Sequence, residues 1–455
     1  MRTQTTDGGV SAKVANGSGG SRFNVLDVVS KLEPSRGPSH EHWWKLTGPQ
    51  LALMLEEADY PVGKQFETLL FYYHWIVPYL GPKPEVDGKF KWRSLVSDIG
   101  IPLEYSWKWD TSSSGPDVRL TIEPISELSG TRFDPLNQSP SLELFQRLAD
   151  ILPRLNPTWT SHFLSTFYDH DKIKYVEESE TPTGMPLRST MLVCFEFGRK
   201  GTTTKTYLSP RKLGQQGFAP LPEYMSAIAA LGPSPALDTL KEFLDTSPEG
   251  EHLKPFMLAV DNIDPSSSRL KFYFASPKTS FNSIREVLTL GGRVKNPDLD
   301  AKLRTLHDLI KAIMPTPADL PDDADIPAPD TPTPPPSTDS ESGPGTADMA
   351  NERPAFISGY QYYFDIAPGA TLPDIKFYIP IRKAQMDDRT VANGLTCWMR
   401  AQGRGAFCDG YIRVLEGLAG GRDLGECHGL HTHVCLMLKA NGEFDVTSYL
   451  APGLK

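Results

Sequence analysis

Cysteine is scarce in this chain, which has five cysteines among 455 residues. Their number is odd and no Cys-x-x-Cys pair occurs, so neither a disulfide framework nor a zinc site is expected. Cys427 and His428 lie close in sequence to His431 and His433, but this spacing fits no common metal-ligand pattern. The sequence therefore predicts a protein without a bound metal, located in a reducing cytoplasm.

Excess positive charge and long apolar runs are also lacking. The formal net charge is -10 at pH 7, which argues against general binding to nucleic acid or to anionic membranes. No apolar run is long enough to span a membrane, and the N-terminus lacks a basic segment followed by an apolar one. No P-loop and no Gly-x-Gly-x-x-Gly between a strand and a helix is present, which makes a nucleotide a weak candidate ligand. We expect no nucleic-acid partner and no membrane partner.

Helical and strand-like patterns alternate through residues 23–455, which are expected to form a single domain. Residues 1–22 are rich in Gly, Ser and Thr and are expected to be a disordered leader. Apolar periodicity predicts helices at Trp43–Ala58, Gln65–Leu80, Ser141–Leu155, Leu221–Leu231, Ala236–Leu244, Asn282–Leu288, Leu299–Ile313 and Arg389–Arg400. Strand-like runs come in pairs joined by turn-forming residues, a pattern typical of antiparallel hairpins: Pro102–Trp109 with Val118–Pro124, Met191–Phe197 with Thr203–Pro210, Phe256–Ile263 with Arg269–Ala275, Gly359–Ile366 with Ile375–Ile381, and Thr432–Leu438 with Phe444–Leu450.

These hairpins, separated by helices, form an irregular internal repeat, and such units usually stack or close on one another. Antiparallel strands that closed into a barrel would leave no exposed edges, and the helices would then coat the outside. We therefore expect an α+β fold in which a ten-stranded antiparallel β-barrel is surrounded by helices. Two ordinary α+β domains are the alternative.

Pro, Asp, Thr and Ser dominate residues 315–350, which cannot bury enough apolar surface to fold. We expect a disordered insertion between the third and fourth hairpins. It contains Asp322-Asp323-Ala324-Asp325, which superficially resembles the aspartate-rich motif that binds magnesium diphosphate in isoprenoid enzymes. That motif needs a rigid helix, so no metal role is expected for it here. Alternatively, the Pro-rich segment is a ligand for partner domains, and the chain is an interaction protein.

A basic residue and a tyrosine stand two positions apart on the second strands of three hairpins. The pairs are Lys205 with Tyr207, Lys271 with Tyr273, and Lys376 with Tyr378; Arg269 precedes Lys271, and the remaining hairpins offer Arg119 and Tyr449. Side chains two apart on a strand point to the same face. If the apolar faces meet the helices, the cations and phenols converge inside the barrel. The alternative is ordinary amphipathic patterning, in which the cations face water.

Several cations in a confined space need an anionic partner, because mutual repulsion and desolvation would otherwise be prohibitive. Diphosphate fits this requirement, since lysine and arginine supply charge and tyrosine hydroxyls supply hydrogen bonds without adding repulsion. Glu104 on the first strand is either an exposed carboxylate, a partner of Arg119, or an acceptor for the N–H or O–H of an aromatic nucleophile. A non-catalytic anion-binding barrel would keep the cations but would have no use for Glu104.

Short segments in a fixed order extend the pattern from residue 25 to the C-terminus, interrupted by the Pro-rich insertion. They are Trp43-Trp44, Leu46-Thr47-Gly48, Leu80-Gly81-Pro82, Trp92-Arg93-Ser94, Pro102-Leu103-Glu104-Tyr105-Ser106, Lys205-Thr206-Tyr207, Arg269-Leu270-Lys271-Phe272-Tyr273, Leu288-Thr289-Leu290-Gly291-Gly292 and Lys376-Phe377-Tyr378. Each segment alone is weak evidence for a protein family, but their number and their order together are specific for one family. Together they resemble the fungal dimethylallyltryptophan synthase family of aromatic prenyltransferases.

The resemblance implies the αββα prenyltransferase barrel and an enzyme of secondary metabolism. Such an enzyme moves a dimethylallyl group from dimethylallyl diphosphate to an indole-containing acceptor, which is a tryptophan derivative, a cyclic dipeptide or an indole alkaloid. A phenolic or polyketide-type acceptor is the alternative. The expected partners are a prenyl diphosphate and a small aromatic molecule, in a monomer or homodimer. No cofactor is expected to be obligatory and no divalent cation to be required.

The resemblance also implies site residues. Glu104 would hold the acceptor, and the diphosphate would be contacted by Arg119, Lys205, Tyr207, Arg269, Lys271, Tyr273, Gln361, Tyr363, Lys376, Tyr378, Lys439 and Tyr449. Among these, tyrosine rings would shield the allylic cation. The chain departs from the family pattern in two places. His433 stands where an aromatic residue is common, and Met191–Val193 is apolar where members that use tryptophan often place a lysine.

Overall fold

Ten strands close into one antiparallel barrel in the computed structural model. They are β1 (Leu103–Lys108), β2 (Asp117–Ile122), β3 (Met191–Gly198), β4 (Gly201–Leu208), β5 (Lys254–Asp261), β6 (Leu270–Ser276), β7 (Tyr360–Ile366), β8 (Asp374–Ile379), β9 (His431–Leu438) and β10 (Phe444–Leu450). Each strand pairs with its neighbours in sequence, and β10 pairs with β1 to close the ring. The structure describes residues 24–453 except 95, 98, 168–187, 214, 216, 296–297, 327–359 and 440–441. The predicted barrel is confirmed, and the alternative of two α+β domains is wrong.

Helices pack around the outside of the barrel. Within the described residues they are α1 (Val25–Leu32), α2 (Pro38–Glu57), α3 (Val62–Phe71), α4 (Ser139–Ala149), α5 (Thr158–Phe167), α6 (Leu221–Ala229), α7 (Pro235–Thr246), α8 (Pro248–His252), α9 (Phe281–Leu288), α10 (Leu299–Ile313), α11 (Asp388–Ala401) and α12 (Cys408–Ala419). The helix predicted at Gln65–Leu80 is divided, because α3 gives way to a π-helix at Tyr72–Ile76 and a 3-10 turn at Val77–Tyr79. No described helix is both long and apolar enough to cross a membrane.

Alternation along each strand separates an apolar outer face from a polar inner face. On β6, Phe272 points outward and packs against Tyr224 of α6, with ring centroids 5.2 Å apart. The neighbouring Tyr273 belongs to a separate cluster inside the barrel, together with Tyr363 and Tyr378. The cations of β4, β6 and β8 therefore face the interior, as the first interpretation required, and the water-facing alternative is wrong.

Helix α12 was not predicted, because its two glycines weaken the helical pattern. Both glycines let α12 lie close to α2. A Cβ at Gly417 would come within 2.2 Å of Leu53 Cδ2, and one at Gly410 within 3.0 Å of the Glu57 carbonyl oxygen. The packing that requires these glycines is formed only in the tertiary structure. Helices α1, α5 and α8 were also missed.

The Pro-rich insertion begins later than predicted. Asp325 Oδ1 accepts hydrogen bonds from the backbone amides of Thr279 (2.6 Å) and Ser280 (2.8 Å), just before α9, and Ile326 packs against the core. Asp325 is thus a structural acceptor at a helix N-terminus, where a negative charge is favoured. These contacts attach Asp325 and Ile326 to the rest of the fold, so residues 315–326 are not part of a disordered insertion. The rest of the predicted insertion, and the predicted leader at 1–22, lie outside the described residues.

Candidate active site

Charged side chains form a layer inside the barrel, at the end where β3, β5 and β7 finish. This charged layer consists of Arg119, Glu196, Lys205, Asp261, Arg269, Lys271 and Asp365. Its first centre is Glu196, whose Oε1 atom lies 2.8 Å from Arg119 Nη1 and 2.6 Å from Lys205 Nζ. Register explains this contact, because Arg119 pairs with Glu196 across β2 and β3.

The second centre of the charged layer lies at Asp261. Lys271 Nζ is 2.9 Å from Asp261 Oδ1. The Arg269 guanidinium joins Asp261 to Asp365, at 3.1 Å from each carboxylate. Four of the predicted diphosphate ligands, from three different hairpins, are thereby brought together in one network.

These carboxylates correct the expectation that the cations must have an external anion. Burial opposes ionisation of Glu196, but Arg119 and Lys205 outweigh it and hold the pKa of Glu196 well below its ordinary value. The network is therefore charged without any ligand. A diphosphate at this position would compete with the carboxylates for the same cations.

The sequence interpretation predicted cations and tyrosines on the inner faces of these strands and did not include the carboxylates Glu196, Asp261 and Asp365. A signal was available in the same alternation. Glu196 stands between Phe195 and Phe197, whose side chains are completely buried, so an acid between them must point to the opposite, inward face.

Lys376 lies on the inner face of β8, apart from the charged layer. Its Nζ donates a hydrogen bond to Thr447 Oγ1 at 3.0 Å. Burial lowers the pKa of Lys376 to about 8, against the opposing effect of Asp445. Asp445 also pairs with Lys108 at 3.2 Å. Lys108 and Asp445 are further interior charges that the sequence analysis did not identify.

Tyrosine rings form a second layer next to the cations. Tyr273 is at its centre, with ring centroids 5.1 Å from Tyr363, 5.9 Å from Tyr378 and 6.2 Å from Tyr207. Tyr449 completes the layer, 5.8 Å from Tyr378. Burial raises the pKa of all these phenols, so they are neutral. The tyrosines predicted to shield the allylic cation thus lie together in one layer, and their shielding role stays a prediction.

The two departures from the family pattern both face this interior. His433 lies 6.1 Å from the ring of Tyr378 and 6.5 Å from that of Tyr449. Burial, helped by Arg382, lowers the pKa of His433 to about 3, so a neutral imidazole fills the aromatic position. Leu192 pairs with Tyr207 across β3 and β4 and places an apolar side chain on the inner face.

The remaining predicted ligands occupy different places. Gln361 is buried and lies in register between Ala275 of β6 and Tyr378 of β8. Lys439 lies beyond the end of β9, where its backbone amide donates to the Glu443 carbonyl at 2.8 Å. Lys439 is thus at the rim of the barrel rather than within the charged layer. The diphosphate-binding role of these residues stays a prediction.

Glu104 lies on the inner face of β1, away from Arg119. The Thr432 hydroxyl donates a hydrogen bond to Glu104 Oε1 at 2.6 Å. Burial raises the pKa of Glu104 to about 7, while Thr432 and Arg382 oppose the rise. Neither the exposed carboxylate nor the pair with Arg119 is observed. A buried carboxyl group with a near-neutral pKa can accept a proton from a ligand in the barrel.

The charged layer borders a cavity of about 1050 Å³, whose lining includes Arg119, Glu196 and Lys200.

No group of three or more His, Cys, Asp or Glu side chains in the described part of the chain is arranged to hold a metal ion. The histidines near Cys427 have separate partners: His431 Nδ1 bonds to Asp388 at 2.7 Å, and His428 to the Gln385 carbonyl at 3.1 Å.

Comparison with known proteins gives a consistent result. The family model described as tryptophan dimethylallyltransferase matches residues 39–414. Xanthone prenyltransferase A of Emericella nidulans is 76% identical over 434 residues, which are 95% of this chain and 97% of that protein. Prenyltransferase penI of Penicillium thymicola is 60% identical over 95% of this chain and 92% of its own. Among solved structures, AnaPT from Neosartorya fischeri matches with a TM-score of 0.75 at 22% identity, covering 95% of this chain and 98% of that one.

Proposed function

Because the chain belongs to the tryptophan dimethylallyltransferase family and is an aromatic prenyltransferase, we propose that its acceptor is a phenolic, polyketide-type aromatic molecule. The donor in this proposal is dimethylallyl diphosphate. An indole acceptor was the main expectation from the sequence, and it has less support. The relative at 76% identity is named for a xanthone, which is a tricyclic oxygenated aromatic.

The 76% identity to a xanthone prenyltransferase is the observation that carries the choice of acceptor, and the buried carboxyl group of Glu104 is the group proposed to hold it. A phenol donates its O–H to Glu104, and partial removal of that proton raises the electron density of the ring. The pKa of Glu104, about 7, is closer to the pKa of a phenol than the pKa of an ordinary carboxyl group is. The apolar run Met191–Val193, near which tryptophan-using members often have a lysine, also favours an acceptor other than free tryptophan.

The charged layer performs the other half of the reaction. The allylic C–O bond breaks, and Arg119, Lys205 and Lys271 stabilise the negative charge that develops on the leaving diphosphate. The allylic cation lies among the tyrosine rings, whose faces attract positive charge and exclude water. An aromatic carbon of the acceptor then forms the new C–C bond, and its ring proton passes to the released diphosphate, which restores the aromatic ring.

The experiment is a mass-spectrometric screen of hydroxyxanthones, other phenols, tryptophan and cyclic dipeptides with C5, C10 and C15 diphosphates. We expect a hydroxylated polyketide-type aromatic with the C5 donor to give the highest kcat/KM. The advantage over tryptophan should be about 100-fold or more, because the site would leave buried polar groups unpaired with the wrong acceptor. Faster prenylation of an indole would overturn the acceptor assignment and leave the family assignment intact.

We also propose that the reaction needs no divalent cation, because side chains supply the positive charge at the diphosphate. Turnover should continue in EDTA at a rate within about twofold of the untreated enzyme, since chelation removes none of these charges. The measurement is initial-rate kinetics before and after chelation. A complete loss of turnover that added magnesium restores would contradict this prediction.

A further inference from the structure

Two buried arginines face each other at the opposite end of the barrel from the charged layer. The backbone amide of Ser209 donates to the Thr190 carbonyl at 2.8 Å, so the pairing of β3 with β4 continues past the strand ends. Arg188 and Arg211 follow two residues further along these paired segments, and the charge of Arg211 acts on Arg188. Both are buried, with 6% and 1% of their surfaces exposed. This is the end at which β1 begins, and it therefore also contains Glu104.

Arg188 differs from the cations of the charged layer in its surroundings. Among the residues that the structure describes, its Nε atom is buried without a hydrogen-bond partner. Its guanidinium lies over the Phe218 ring, 5.4 Å from the centroid. Burial, together with the positive charge of Arg211, lowers the pKa of Arg188 to about 10, and no described carboxylate opposes this effect. A buried guanidinium whose charge no described group offsets is costly, which points to a ligand as the source of the counter-charge.

The position of Arg188 connects it to the acceptor site. Arg188, Thr190 and Leu192 are two residues apart from one another, so in extended backbone they share a face, which is the inner face of β3 at Leu192. Phe218, beneath the guanidinium, packs against the interior cluster and lies 6.4 Å from Phe256. Only β2 separates β3 from β1, which carries Glu104, so the two strand backbones are about 10 Å apart. A fused aromatic system is long enough to reach both groups.

We propose that Arg188 is a specificity-determining residue that binds an anionic oxygen of the acceptor, either a carboxylate or an ionised phenol. The proposal rests on the proposed function, because it assumes that the acceptor is an oxygenated aromatic held by Glu104. The planar guanidinium matches a carboxylate in two parallel hydrogen bonds and a phenolate in one. Phe218 provides an apolar surface for the acceptor ring beside that charge. Arg188 thus makes the acceptor site selective for acidic aromatics.

The experiment compares a hydroxyxanthone carboxylic acid with its methyl ester, each with dimethylallyl diphosphate. For the unmodified enzyme we expect kcat/KM to be about 10- to 100-fold higher for the acid, the worth of a charge-assisted hydrogen bond. Arg188→Gln should remove this preference by raising the KM of the acid. The KM of dimethylallyl diphosphate should not change. Arg188→Lys, which keeps the charge, should retain part of the preference.

A second arm distinguishes the two sources of the anion. If a phenolate binds Arg188, acid and ester behave alike, and halogenation that acidifies the acceptor hydroxyl lowers KM in the unmodified enzyme but not in Arg188→Gln. Arg304→Gln, which removes an exposed arginine from α10, is the matched control and should resemble the unmodified enzyme. Melting temperatures show whether each variant is folded.

Three outcomes would overturn the inference. Equal losses of kcat/KM for acid, ester and halogenated acceptors would mean that Arg188 has only a packing role on Phe218. A rise in the KM of dimethylallyl diphosphate would place Arg188 in the donor site. In the unmodified enzyme, a lack of preference for both the acid and the acidified phenols would exclude an anionic acceptor without any variant. If no oxygenated aromatic were prenylated at all, the proposed function itself would fail.

Discussion

At the scale of single residues, burial gives Glu104 its chemistry. The same desolvation that raises its pKa to about 7 makes its carboxylate a stronger base than one in water. The Thr432 hydroxyl, 328 positions away in sequence, is its hydrogen-bond donor at 2.6 Å. One donor holds the carboxyl group in place and leaves its second oxygen available to a ligand.

We expect Glu104→Gln to lower kcat/KM for a phenolic acceptor by about 10²- to 10⁴-fold, because the amide cannot accept the proton. In the unmodified enzyme, protonation of Glu104 has the same effect. Its kcat/KM should therefore fall as pH decreases below about 7, and the glutamine variant should lack this acidic limb. Profiles of rate against pH test both statements. An unchanged limb in the variant would show that another group titrates.

Stability provides the control for this variant. The pKa of Glu104 is raised in the folded protein from 4.5 to about 7. The protonated group therefore stabilises the folded protein below pH 4.5. This contribution to the free energy of unfolding, up to about 3 kcal/mol, is lost as pH rises through 7. Glu104→Gln should unfold at a higher temperature than the unmodified protein at pH 8, with a smaller difference at pH 5. A lower melting temperature at both pH values would assign the activity loss to misfolding.

At the scale of elements, two hairpins, β3–β4 and β5–β6, each combine an acidic side chain with a basic one. The hairpin of β3 and β4 carries Glu196 with Lys205, and that of β5 and β6 carries Asp261 with Lys271. Because the acid and the base lie on adjacent strands, each hairpin brings its own counter-charge into the barrel. Such pairing allows several cations to be buried together before the donor binds.

This arrangement predicts the effect of removing one acid. Glu196→Gln should tighten binding of inorganic diphosphate by about tenfold, because it removes an anion that competes for Arg119 and Lys205. Isothermal titration calorimetry measures the change. Glu416→Gln, which alters an exposed acid on α12, is the control and should have no effect. Weaker binding in Glu196→Gln would mean that the carboxylate positions the cations rather than competing with the ligand.

At the scale of the whole molecule, closure of the barrel and the helical coat together isolate the interior. The charged layer, the tyrosine layer and Glu104 follow one another inside a single wall of ten strands. One segment outside the wall makes a contact that is structural rather than chemical. Asp325 joins the start of the Pro-rich segment to the amides before α9.

We expect Asp325→Ala to reduce the free energy of unfolding by about 1 kcal/mol, the usual worth of an acceptor at a helix N-terminus. Deletion of residues 328–350 should leave both the melting temperature and the prenyl-transfer rate unchanged. Asp323→Ala, at an exposed position nearby, is the matched control. Loss of transferase activity on deletion would instead favour a functional role for the Pro-rich segment.

The sequence by itself determined the faces of the strands and the identity of the converging groups. Alternation of Lys271 and Tyr273 with apolar neighbours is a property of consecutive residues, so it can be read without knowing what lies opposite. The helix at Leu299–Ile313 was predicted with its observed bounds for the same reason. The order of short segments sufficed to indicate the family.

Only the tertiary structure decided which charges are paired and which are not. Glu196 meets Arg119, Glu104 meets Thr432, and Arg188 lies over Phe218, through contacts that depend on closure of the barrel. Desolvation and counter-charge are set by neighbours that are distant in sequence, and these neighbours determine pKa values and binding preference. Local periodicity contains no information about these neighbours. Alternation can place Glu196 on the inner face, but the partners of Glu196 and the surroundings of Arg188 are visible only in the folded molecule.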